Sequence, residues 1–97
     1  MSETVSVGYE VLGVEPVLGA GRLVALAVVA VEVAGLVVTL QGVQVNRAAD
    51  GSLSCAAPVF RHPRTGRWLP AVSLPQRLSE AVAAEVLATA REKIAQG

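Results

Sequence analysis

Few residues in this chain have the chemistry of a site. Cys55 and His62 each occur once. A thiol-imidazole pair needs a third group to orient it and surroundings that favour thiolate. Cys55 sits instead in the small-residue run Ser54-Cys55-Ala56-Ala57, where a strand residue packed inside is expected. One His and one Cys are too few ligands for a structural or catalytic metal. No glycine-rich segment leads into a phosphate-binding lysine, and no paired carboxylates stand out. The chain is therefore expected not to be an enzyme and to use no cofactor. What remains is basic. Arg61, Arg64, Arg67 and Arg77, with His62, lie in a stretch that holds no acid, and Trp68 follows Arg67 directly. Guanidinium groups spaced three apart can hold phosphates, and an indole beside them can stack on a base. His62 itself is expected to be a solvated ring within this loop.

The rest of the composition narrows the alternatives. The formal net charge is zero, with eight Lys and Arg against eight Asp and Glu, so no global field draws the chain to nucleic acid or to an anionic membrane. The basic segment is a local feature. With 97 residues, one domain spanning 1–97 is expected. Hydrophobic residues make up 53%, mostly Ala and Val, and aromatics 3%. Small side chains yield little apolar area each, which favours extra burial through self-association. One cysteine excludes an internal disulfide and suits a reducing cytoplasm. The N-terminus lacks a basic segment followed by an apolar run, so no signal peptide is expected.

These residues must be positioned by a core, and the core is visible at Leu23–Asn46. A membrane helix here is disfavoured: Glu32 lies near the middle of the apolar run, where a carboxylate costs about 2.5–3.5 kcal/mol in a bilayer. Valine dominates, and β-branching favours strands. The expected element is a long hairpin turning at Ala34-Gly35, with Gly42 as a bulge. Alternation sends Ala25, Ala27, Val29, Val31 and Val33 to one side and Val24, Leu26, Val28, Ala30 and Glu32 to the other. Both sides are apolar, so two covers are expected: a helix on one, a second subunit on the other. Before the hairpin, residues 4–15 alternate as a strand, with Val5, Val7, Tyr9 and Val11 on one face, Gly8 and Gly13 as bends, and a turn from Pro16 to Gly21. After it, Asp50-Gly51 marks a turn, Leu53–Phe60 a short strand ending near Pro58, 61–67 a loop, and Trp68–Leu74 an edge strand. Pro75 opens a helix whose Leu78, Val82, Val86, Ala90 and Ile94 share a face, with acids early and bases late. The fold class is α+β: a small antiparallel sheet built on a long hairpin, with a C-terminal helix.

This order of features resembles the SpoVG family of bacterial sporulation and septation regulators. The apolar hairpin, the Asp50-Gly51 turn, the strand into Pro58, the basic loop with Gly66, Trp68, and the Leu74-Pro75 entry into the helix all match, over residues 22–92. The resemblance implies a cytoplasmic homodimer that binds DNA or RNA and regulates transcription. In the family a small polar residue and bases follow the proline; here Val59 and Phe60 stand in that stretch, and Arg61 alone transfers. Arg64, Arg67 and Trp68 join it by position. A self-associating interaction module that binds no nucleic acid is the alternative.

Overall fold

The computed structural model describes residues 6–96. Four strands, β1 (Val7–Ala20), β2 (Leu23–Val33), β3 (Leu36–Arg47) and β4 (Leu53–Ala56), form an antiparallel sheet in the order β1-β2-β3-β4. Two short strands, β5 (Val59–Arg61) and β6 (Trp68–Pro70), pair only with each other. Helix α1 (Gln76–Gln96) closes the described chain and packs across one face of the sheet. The architecture is α+β, as the sequence implies. None of the helices among the described residues is long and apolar enough to cross a membrane.

The core follows the alternation of β2. Ala25, Ala27, Val29 and Val31 are buried and meet Val82, Val86 and Ala90 of the helix. Val14, Leu40, Val43 and Val45 complete the layer from the neighbouring strands. The largest fully buried side chains are all valines, Val29, Val45 and Val86.

Both neighbours of β2 depart from plain alternation at the same level, around Val28. In β3, Gln41 and Gly42 together oppose Val28, because Ala27 pairs with Val43 and Val29 with Leu40. Gly42 supplies the positive φ (77°) that such a bulge requires. In β1, Leu12 is the extra residue between Val11 and Gly13. Each bulge shifts the parity of its strand by one, so Leu40 and Val43, or Val11 and Val14, reach the same face.

Several expected boundaries move. β1 does not end before Pro16; it runs through it, with Pro16 opposite Ala25, and the turn is confined to Gly21-Arg22. Strand β1 lies at the sheet edge, where a missing N–H removes no ladder bond. Val5 lies outside the described residues, whereas Val7, Tyr9 and Val11 share the helix side as expected. The strand expected at Leu53–Phe60 is two strands: Ala57-Pro58 interrupts it, and Val59–Arg61 leaves the sheet for β6. Arg61 is accordingly a strand residue, and the loop proper is 62–67. β6 stops at Pro70, and 71–74 runs irregularly to the helix. The first turn of α1 holds no acid, contrary to the expected macrodipole pattern, and its last turn holds Lys93. The Pro75 carbonyl accepts the Ser79 N–H at 2.9 Å, which starts the helix where the proline predicts.

The sheet face away from the helix is the second apolar face. Val24, Val28 and Ala30 are half-buried there and Leu26 is 36% exposed. The register sets them between Glu10 and Glu15 of β1 and Thr39 and Gln44 of β3, so the apolar stripe is one strand wide.

Candidate functional site

The basic segment folds into a small ribbon that stands clear of the main sheet. Val59 pairs with Pro70, Phe60 with Leu69 and Arg61 with Trp68. With side chains alternating across the ribbon, Val59, Arg61, Trp68 and Pro70 share one face, and Phe60 and Leu69 the other. The ribbon is tied to the body at its base, where the Ala71 N–H donates to the Pro58 carbonyl at 2.7 Å.

The loop at its far end is closed by hydrogen bonds. The His62 N–H donates to the Arg67 carbonyl at 2.8 Å, and the Gly66 N–H donates to the His62 carbonyl at 2.9 Å. Inside this frame, His62 Nδ1 accepts the N–H groups of Arg64 (3.1 Å) and Thr65 (3.3 Å). The half-buried imidazole thus satisfies two loop donors, as an Asx side chain does in a turn. This corrects the expectation of a solvated ring. With Nδ1 accepting, the neutral ring carries its proton on Nε2. The Thr65 hydroxyl accepts the Arg67 N–H at 3.3 Å.

The three arginines are not equivalent. Arg61 is exposed but bends over the loop, its Nε donating to the Gly66 carbonyl at 3.2 Å. Gly66 has φ of 71°, and a Cβ there would sit 3.4 Å from an Arg61 terminal nitrogen. Arg61 therefore braces the loop and keeps its terminal nitrogens as donors. Arg64 and Arg67 are exposed on the loop itself, and their backbone N–H groups take part in its bonding. Trp68 lies across from Arg61 and is 65% exposed. So large an exposed aromatic surface beside guanidinium groups is a stacking platform. The structure brings all four residues expected from the sequence, Arg61, Arg64, Arg67 and Trp68, onto one ribbon end.

Two contributors escaped the sequence. Phe60 is 44% exposed on the opposite face of the ribbon, a second aromatic surface whose position depends on β5 leaving the sheet. His62 shapes the loop through its ring acceptor; its one signal was a hydrogen-bonding side chain immediately before Pro63.

Elsewhere the chemistry is sparse. Cys55 opposes Val45 on the core side of β4, and burial pushes its thiol up from the ordinary range, which disfavours a thiolate nucleophile. No three His, Cys, Asp or Glu side chains gather as metal ligands among the described residues. The Asp50 carboxylate accepts the Ser52 hydroxyl (2.6 Å) and N–H (2.9 Å), which holds its pKa below the usual value and fixes the Asp50-Gly51 turn. No family model, curated protein or solved structure matches this chain.

Proposed function

We propose that this chain is a small nucleic-acid-binding regulatory protein, acting in the cytoplasm as a homodimer of the SpoVG kind and gripping DNA or RNA with the end of the β5–β6 ribbon. The observation that carries the reading is the indole of Trp68, largely exposed and set directly opposite Arg61 at the base of a loop that displays Arg64 and Arg67. Arg64 and Arg67 reach for phosphates, Arg61 both braces the loop and adds donors, and Trp68 stacks on an unpaired base. Such a site reads backbone and base planes rather than base edges, so it tolerates sequence and prefers unstacked strands.

The zero net charge fits a weak binder whose attraction is local, and a second protomer doubles the number of cations. The order of sequence features shared with the SpoVG family supports both parts of the reading. The site offers no nucleophile or metal ligands, and the proposed role is non-enzymatic. The test is a fluorescence titration of labelled single-stranded and duplex oligonucleotides at low salt, with the Arg61/Arg64/Arg67→Ala triple variant as control. Binding by the natural chain, lost in the triple variant, is expected. Absence of binding to every oligonucleotide at low salt would remove the proposal.

A further inference from the structure

The hairpin of β2 and β3 outreaches the helix that covers it. Beyond the first turn of α1, the helix-side face continues as Val33 (41% exposed), Val38 (48%) and Leu36 (68%), joined by Val7 (50%) of β1. Between this tip and the helix entry lies a groove of about 620 Å³. Val7, Val33 and Val38 form its hairpin wall, and Leu74, Pro75 and Leu78 the other. Arg77 is the one charged residue lining it. On the outer side of the same tip stand Val37, 59% exposed, and its cross-strand partner Glu32. Contiguous apolar surface of this kind marks an interaction site.

We infer that the groove is filled by the hairpin tip of a second copy of this chain, so that two protomers meet tip to groove about a two-fold axis. The inference rests on the homodimer in the proposed function and moves its interface away from the outer sheet face. Three observations select this occupant. First, a projecting apolar tip and an apolar groove lie side by side on one molecule, and a two-fold axis beside them satisfies both at once, each protomer giving and receiving the same contact. Second, the tip brings one acid, Glu32, and the groove one base, Arg77, so the pairing is charge-complementary in both directions. A membrane surface or a nucleic acid calls for clustered cations, which the groove lacks. Third, the chain is extended for its size: its radius of gyration is 14.7 Å, against about 12.5 Å for a compact chain of this length. The outer sheet face is a poorer candidate, because its apolar stripe is confined to β2 and flanked by Glu10, Glu15, Thr39 and Gln44.

The experiment is sedimentation velocity over a concentration series, with far-UV circular dichroism to check folding. The natural chain is expected to be a dimer. Leu36→Glu with Val38→Glu, both at exposed positions, should raise the dissociation constant at least tenfold while leaving the spectrum unchanged. Leu26→Glu on the outer face should leave it within about twofold. Glu32→Arg and Arg77→Glu should each weaken the dimer, and their combination should recover most of the loss. A natural chain that stays monomeric throughout overturns the inference, as does dissociation by Leu26→Glu but not by the tip variant. A natural dimer that binds no oligonucleotide removes the nucleic-acid reading and leaves this interface standing. A monomer that still binds does the reverse.

Discussion

The salt dependence of binding separates the roles of the ribbon residues. Each phosphate neutralised contributes about −0.7 to the slope of log K against log salt on single strands and about −0.9 on duplex. With Arg61, Arg64 and Arg67 all engaged, one protomer gives a slope of about −2 on a single strand, and a dimer about −4. Between 50 and 200 mM salt the dimer then loses roughly 250-fold in affinity. Arg64→Ala should reduce that slope by about 1.4 in the dimer, since its guanidinium does nothing else in the fold. Arg61→Ala should lose more affinity than Arg64→Ala, because the Gly66 carbonyl loses its brace as well as the phosphate its partner. Trp68→Ala should weaken binding by about 1–3 kcal/mol per stacked base and leave the slope unchanged. Fluorescence anisotropy titrations at four or more salt concentrations read all of these. A slope near zero, or one that Arg64→Ala leaves unaltered, would refute the assignment of these arginines to phosphate.

Three further outcomes follow from the fold. Ala34 occupies the first central position of the β2–β3 turn with φ of 51°, a left-handed conformation that costs a residue with a Cβ about 1 kcal/mol; Ala34→Asn should raise stability by roughly 0.5–1 kcal/mol in a urea melt. Gly66→Ala strains the backbone and crowds Arg61, so it should lower oligonucleotide affinity severalfold while shifting global stability by less than about 1 kcal/mol. The Cys55 thiol, raised by burial, should react with iodoacetamide at pH 8 far more slowly than in the urea-unfolded chain, and equal rates would place it outside the core.

How much of this was legible depends on what each feature draws on. The burial of Ala25, Ala27, Val29 and Val31 was readable because a period of two in β-branched and small residues is a local property. The helix face of Val82, Val86 and Ala90 was readable for the same reason at a period near four. Gly42 announced a bulge, yet not which neighbour it would double against; that requires the pairing of Ala27 with Val43. Pro16 looked like a strand end because its effect depends on whether β1 has one neighbour or two, a tertiary fact. The break at Ala57-Pro58 was misjudged in the other direction: a proline near a strand end can stop the strand or let it re-form elsewhere, and only the partner β6 decides. The basic cluster was visible in composition. Its loop geometry was not, since a histidine acting as a turn acceptor has no spacing signature. The apolar surface was anticipated on the outer sheet face, but its most exposed part lies at the tip, because the relative lengths of hairpin and helix set what stays uncovered.

The ribbon hangs from the body by Pro58 and Ala71, and its two strands pack chiefly on each other. The folding energy of the chain resides in the valine and alanine layer between sheet and helix, to which none of Phe60, Arg61, Arg64, Arg67 or Trp68 belongs. Substitutions at the ribbon end are thereby uncoupled from the stability threshold that constrains the core. A lineage carrying this fold can rewrite the charge and aromatic content of its ribbon, acquiring or abandoning a ligand, without re-solving the packing problem underneath. The replacement of a polar and a basic residue by Val59 and Phe60, relative to the family the chain resembles, is a change of that kind.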